Sequence, residues 1–343
     1  MSQQPSVVPC KATIVITGSN VGLGFNLTKK ILSEYPEWHI VMACRSAKKA
    51  EDAIEDLSKE GEGDSLKARL TYVELDLASL ESAKAFPKKL LETMAEHALP
   101  PLACVCCNAG INDVMGGMKL TADGIEQHFQ VNHLGHFALT VDLILQGALK
   151  ASPSGEPPRV VLISSATHDP KQGTPVPSPQ WTSAVEWAKK PPAPNRCYSS
   201  SKLCNVMFGY ALHRKLVEAK EAGGPSVYIV DPGLMLETEL ARQAGFLKGV
   251  FTWVAGMIPS LSRHISSVDR SSSNIAQVCC SSSFNLPSGS YLHRATPTEA
   301  AESSEFSYDQ EAQKDLWDTS LDLAGMRPSS PPAEKTLASL LLC

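Results

Sequence analysis

Long apolar runs are missing from this 343-residue chain. The most apolar stretch, near 249–258, has about half of the roughly 20 residues that a membrane span needs, so at most it lies against a membrane surface. A strong excess of one charge is missing too. With 31 Lys+Arg against 36 Asp+Glu the net charge is -5, which excludes the basic surface of a nucleic-acid binder. A cysteine framework is absent: the 10 cysteines are scattered, and the opening MSQQPSVVPCK holds no long apolar run, so neither disulfide stapling nor secretion is expected. A reducing, cytosolic compartment is the expectation. What remains is a chain with 43% hydrophobic residues, long enough for one large domain with a substantial core.

Short aliphatic runs alternate with amphipathic stretches: 12–17, 39–44, 68–75, 102–107, 159–164 and 226–230. Strands separated by helix-length segments are joined by crossovers, which predicts a doubly wound parallel α/β sheet in one domain, 12–325, between tails at 1–11 and 326–343. The Pro-rich segment 169–195 is expected to be an insertion, and 240–290, with its serine clusters, a substrate-side lid. The C-terminal tail is expected to be mobile.

The first run leads into TGSNVGLG and then a helical pattern. A strand, a glycine turn and a helix N-terminus form an anion site, with free N–H groups and the positive end of a dipole. Thr17, Gly18, Ser19, Asn20, Gly22, Leu23 and Gly24 are therefore candidate ligand contacts. Gly18 allows the tight turn, Gly22 a close backbone approach to a pyrophosphate, and Gly24 close helix packing. At the end of the second run an NAD site usually carries a carboxylate; here Cys44-Arg45-Ser46 offers a guanidinium, which favours the 2′-phosphate of NADPH. Asp76 ends the third run, where it could accept from an adenine amino group. Asn108, Ala109 and Gly110 end the fourth.

Tyr198 and Lys202 stand four residues apart at the start of a helical pattern, on one face. A cation beside a phenol favours phenolate, which makes the tyrosine a usable proton donor and acceptor nearer neutral pH. Ser164 and Ser165 end the preceding strand, where a hydroxyl can bind a carbonyl oxygen.

In that order, TGxxxGxG, NAG and YxxxK resemble the short-chain dehydrogenase/reductase family over about residues 12–325, which implies a Rossmann domain. The resemblance implies Tyr198 as general acid, Lys202 as the group that lowers its pKa and binds the nicotinamide ribose, and Ser165, with Ser164 as fallback, as the serine that orients the carbonyl. It maps the family's helical asparagine onto Asn132, which would position a water. It likewise maps the turn beside the nicotinamide onto Pro232 and Gly233, with Thr238 as an offset amide contact. Segments such as TADGIEQHFQVNHLGHF and SKLCNVMF are similar to the branch of retinol dehydrogenases and light-dependent protochlorophyllide reductase.

Other features are set aside. Cys104 and Cys107, three apart on a strand, point to opposite sheet faces. His128, His133 and His136 are read as core residues, and no metal is expected. Phe246, Phe251, Trp253 and Met257 fit a lid, a dimer contact or core. The expectation is an NADPH-dependent oxidoreductase interconverting carbonyl and alcohol on a small hydrophobic substrate, with a homo-oligomer allowed by the family. The rivals are a light-dependent double-bond reductase and a non-catalytic NADPH-binding sensor or scaffold.

Overall fold

A computed structural model describes residues 9–59, 63–113, 117–152, 155–219, 224–235, 266–328 and 336–342. In chain order the first half runs β1 (Ala12–Thr17), α1 (Gly22–Glu34), β2 (Trp38–Cys44), α2 (Ala47–Lys59), α3 (Asp64–Lys67), β3 (Leu70–Glu74), α4 (Leu80–Glu96) and β4 (Leu102–Cys107), then a π-helical turn, Phe129–Leu134, that feeds α5 (Gly135–Leu145). The second half runs β5 (Arg159–Ile163), α6 (Ala184–Lys189), α7 (Cys197–Glu218), β6 (Ser226–Val230), α8 (Val268–Cys280), β7 (Ser290–Leu292), α9 (Gln310–Ala324) and α10 (Leu337–Leu342).

The strands form one sheet in the order β3-β2-β1-β4-β5-β6-β7. Every pairing is parallel, so the expected doubly wound sheet is observed. Alternate residues of each strand feed different cores. Val15, Val41, Val105 and Val160 pack in one apolar cluster with Phe137 of α5 and Phe208 of α7, while Ile14, Ile40, Cys104 and Val161 pack in another with Leu27 of α1 and Ile275 of α8. Both faces being covered explains why the strands read as continuous apolar runs. Cys107 joins the first cluster and Cys104 the second, on opposite faces as read from the sequence. Order reverses between β1 and β4, and the crevice at their carboxyl ends is where such sheets bind ligands.

Two expectations need correction. From Ser266 onward the expected 240–290 lid is no lid: α8 packs on α1 and buries Ile275, Ala276 and Val278. Its serines mislead by composition, because Ser272 Oγ donates back to Val268 O at 2.7 Å and Ser271 Oγ to Pro232 O at 2.6 Å, which satisfies the hydroxyls inside the core. The C-terminal tail ends in α10, whose Leu341 is buried; Leu341 O accepts from Trp317 Nε1 at 3.0 Å. The Pro-rich insertion is partly helical: Ser183 caps α6, whose Trp187 is buried. Strand β7 carries too few residues for a periodic signal. The aromatic candidates Phe246, Phe251, Trp253 and Met257, like 240–265 as a whole, lie outside the described residues.

Tight packing fixes where α7 meets the sheet. A Cβ on Gly209 would lie 2.3 Å from Ile229 Cγ1 and 2.7 Å from Ile229 Cδ1. Gly209→Ala is expected to cost about 1–3 kcal/mol by overpacking, read as a lower urea midpoint at unchanged m-value. An unchanged midpoint would contradict the close approach.

Candidate active site

A cavity of about 650 Å³ opens along the carboxyl ends of β1 to β6. At one end lies the glycine loop. Gly18 has φ 66°, in the left-handed region. A Cβ on Gly24 would sit 2.4 Å from Gly18 O and 2.6 Å from Asn108 Nδ2, so α1 starts in contact with the turn. The residue before α1, Val21, makes no side-chain cap, which leaves the first N–H groups of the helix facing the cavity mouth. A helix start packed this closely on the turn, with its backbone donors at the cavity mouth, fits a pyrophosphate. Gly18, Asn20, Gly22, Leu23 and Gly24 line it, but Thr17 and Ser19 do not: both are fully buried behind the loop. Ser19 Oγ pairs with Cys44 Sγ at 3.3 Å. Thr17 Oγ1 accepts from Asn108 N and Ala109 N, each at 2.9 Å, and Asn108 Nδ2 donates to Thr17 O at 2.8 Å. These two residues brace the loop rather than touch its ligand.

Beyond β2, exposed Arg45 lines the cavity together with Ser46 and Lys49. Lys49 was missed in the sequence, although its spacing of four from Arg45 at a helix start was legible. Asp76 lines the wall after β3, its Oδ1 accepting from Ala78 N at 2.9 Å. Ala109 and Gly110 line the floor beside Asn108.

The opposite end holds Ser165, Tyr198 and Lys202. The two serines differ: Ser164 is buried and its hydroxyl donates to Lys202 O at 2.8 Å, whereas the Ser165 hydroxyl acts on the Tyr198 phenol. Lys202 is 4% exposed, and its Nζ donates to Ile163 O at 3.2 Å. Burial pulls the lysine down to about 8, with Asp231 working upward. The expected depression of the tyrosine by Lys202 is not what this arrangement gives. Burial pushes Tyr198 up to about 12, and the Ser165 hydrogen bond works downward. Lys202 Nζ lies 5.8 Å from the ring centroid. At neutral pH the phenol is therefore protonated, a proton donor in waiting.

Asn132 also departs from its expected place. It lies off the cavity wall, in the π-helical turn, and its amide ties the loop after β4 to α7: Oδ1 accepts from Ile111 N at 2.8 Å, and Nδ2 donates to Ile111 O at 3.0 Å and to Ser201 Oγ at 2.9 Å. Its own carbonyl faces His136 Nδ1 at 3.1 Å. A carbonyl only accepts, so Nδ1 carries the proton and Nε2 accepts from Thr17 Oγ1 at 2.9 Å. Burial pulls His136 down to about 4 and His133 to about 3, so both are neutral core residues.

Glu126, His128 and Cys197 bring ligand-type atoms within 4.8 Å of one another, a grouping the sequence did not suggest. The chemistry does not fit a metal. His128 Nε2 accepts from Asp113 N at 3.0 Å, which leaves Nδ1 protonated toward Glu126 Oε1 at 2.7 Å, and burial with Glu126 nearby pushes the Cys197 thiol up to about 12. Pro232 and Gly233 line the wall after β6, and so does Asp231, which was not among the candidate site residues. Thr238 lies outside the described residues.

Residues 12–176 match the short chain dehydrogenase family profile. A WW domain-containing oxidoreductase of Gallus gallus is 34% identical over 233 residues, covering 67% of this chain and 50% of that protein, so the chain spans about half the length of such relatives. Retinol dehydrogenase 14 of Mus musculus is 36% identical, covering 67% of this chain and 63% of that one. The chain belongs to the short-chain dehydrogenase/reductase family. Within it, the sequence resembles retinol dehydrogenases. Among solved structures, a 3-oxoacyl-[acyl-carrier protein] reductase from Brucella melitensis in complex with NAD superposes with TM-score 0.58 at 17% identity, covering 84% of this chain and 96% of that one. The NADP complex of RhlG from Pseudomonas aeruginosa gives 0.57 at the same identity, covering 84% and 96%. These two establish the fold alone.

Thr17→Val removes the acceptor of two backbone N–H groups and the donor to His136. We expect a loss of about 1–3 kcal/mol per orphaned group, measured by chemical denaturation. A stability equal to wild type would mean that the network is not holding the loop.

Proposed function

We propose that the chain is an NADPH-dependent oxidoreductase that reduces a carbonyl on a small hydrophobic molecule, with Tyr198 giving the proton. The observation that carries this reading is one cavity with an anion cradle at one end and Ser165, Tyr198 and Lys202 at the other. Arg45, Ser46 and Lys49 beside the cradle offer two cations and a hydroxyl to a 2′-phosphate, which supports NADPH over NADH. Gly18 to Gly24 would take the pyrophosphate, Asp76 the adenine, and Lys202 with Asn108–Gly110 and Pro232–Gly233 the nicotinamide half. The nicotinamide supplies the hydride when bound.

This chain's own residues supply the rest. Ser165 and Tyr198 would bracket the carbonyl oxygen and stabilise the charge that develops on it, and the protonated phenol then gives up its proton to that oxygen. Lys202, kept near the phenol by Ile163 O, offsets the phenolate left behind. Ile111, Val131, Val176 and Leu234 line the wall, which supports an apolar substrate body. Thr174–Val176 belong to the Pro-rich insertion, so that segment contributes to the substrate pocket in this reading. The free thiols of every described cysteine agree with the reducing, cytosolic location that we propose.

Dark oxidation of NADPH, followed by absorbance over hydrophobic ketones, aldehydes and quinones, tests the reading. Wild type should turn over at least one of them, and Tyr198→Phe should lose about 10²–10⁴-fold in kcat while still binding NADPH. Turnover only with an unsaturated substrate under light would favour double-bond reduction, and tight binding with no turnover would favour a sensor. Ser165→Ala should lose about 10²-fold. Ser164→Ala should stay within a few-fold, because its hydroxyl serves only the Lys202 carbonyl. Equal losses in the two serine variants would sink the assignment of Ser165. Arg45→Ala should cut the preference for NADPH over NADH by about 10–100-fold, the worth of one charge-assisted contact. An unchanged ratio would leave the 2′-phosphate elsewhere.

A further inference from the structure

Two carboxylates line the cavity: Asp76 near the glycine loop and Asp231 at the Tyr198 end. Asp231 is 1% exposed, and a buried carboxylate is costly unless partners repay its lost hydration. Its place in the sheet sets it beside the backbone that holds Lys202. β6 pairs with β5 so that Val230 stands opposite Ile163, and Ile163 O is the group that grips Lys202 Nζ. Asp231 is the next residue along, at the edge of that grip.

From the other side the carboxylate is tethered. Oδ1 accepts from Gly233 N at 3.0 Å, and Oδ2 lies 3.0 Å from His293 Nδ1. The backbones lock this pairing, with Asp231 N donating to Leu292 O at 2.9 Å and Ala295 N donating to Asp231 O at 2.7 Å. Between them Arg294 and Ala295 hold φ of 53° and 52°, a left-handed conformation that residues with a Cβ seldom adopt. The strain sits in the turn that delivers His293 to Asp231.

We propose that Asp231 is an electrostatic positioning residue of the active site, a buried and tethered carboxylate whose charge keeps the Lys202 ammonium in place in the cavity. The inference rests on the reading of that cavity as an NADPH site. The groups that share the cluster are Tyr198 and Lys202 of α7, His168 and Asp169 after β5, and Tyr291 and His293 at β7. Lys202 also faces His136 of α5, which is neutral. Burial opposes the charge on Asp231, but His293, the Gly233 N–H and His168 hold it below the ordinary carboxylate range. Asp231 in turn works upward on both Lys202 and Tyr198. Removing its charge therefore moves either deprotonation to lower pH.

The test is NADPH affinity, read from nicotinamide fluorescence across the neutral to alkaline range. In wild type the affinity should fall as pH rises through about 8, where Lys202 loses its proton. Asp231→Asn keeps the volume and the acceptor for Gly233 N, and should displace that limb downward by about one pH unit. The alkaline limb of kcat/KM should move with it. An Asn variant that binds more weakly by the same factor at every pH, with the limb unmoved, would overturn the proposal and leave Asp231 a structural residue. Should Asp231→Asn fail to fold, His293→Lys sets a fixed cation on the same carboxylate at a partly exposed position. The same downward displacement is then expected, and an unmoved limb overturns the proposal equally. Because binding is read without turnover, a protein that binds NADPH but reduces no carbonyl loses the catalytic reading while this one is still decided. A protein that binds no NADPH at any pH loses both.

Discussion

The hydroxyl of Thr17 is the point at which the sheet, the glycine loop and the π-helical turn are joined. It accepts from the two backbone N–H groups that open the loop after β4 and donates to His136, whose other nitrogen holds the carbonyl of Asn132. Asn132 then reaches that same loop and, through Ser201, the backbone of Tyr198. One oxygen at the end of β1 is thus linked by hydrogen bonds both to the glycine loop's neighbour strand and to the backbone of Tyr198. Every group in the chain has its partner in one tautomer, which is the condition under which a buried polar network specifies a single arrangement.

The π-helical turn earns its cost in this network. Within the turn, the Asn132 carbonyl accepts from the Nδ1–H of buried His136, which ties the turn to the core from inside. The asparagine can then spend its amide on the loop and on α7. In this chain the residue acts as a strut between elements, and the groups facing the cavity come from β5 and α7 instead.

How much of this was legible follows from how each feature writes itself into sequence. Strands β1 to β6 announce themselves because most of their residues are buried and aliphatic on both faces of the sheet. β7, at the sheet's edge, has three residues, SYL, and no period to read. Serine misled the reading of α8, where buried hydroxyls donate to backbone carbonyls, Ser272 within the helix and Ser271 to Pro232. The glycine loop, Tyr198, Lys202 and Ser165 were legible because each depends on residue type at a fixed spacing. Thr17, Ser19 and Asn132 belong to the motifs but point away from the cavity, since a motif marks the residue and not the direction of its side chain. Lys49 could have been found from its spacing to Arg45. Asp231 and His293 could not, because sixty residues of chain separate two groups that only the β6–β7 pairing brings together.

The two ends of the cavity differ in how their charge is managed, and that difference gives the site its polarity. At the cradle, Arg45 is exposed and stands with Lys49 and the start of α1, a concentration of positive potential open to solvent and suited to drawing in a polyanion. At the far end the charges are buried and must balance. Burial works against the charged form of both Tyr198 and Lys202; Asp231 works back toward the ammonium and, on Tyr198, toward the protonated phenol. A donor of that kind can surrender its proton only when negative charge appears on an oxygen in front of it. In the proposed reading the ammonium beside it lowers the cost of the phenolate, so the buried end would favour transfer to a developing oxyanion over loss to water.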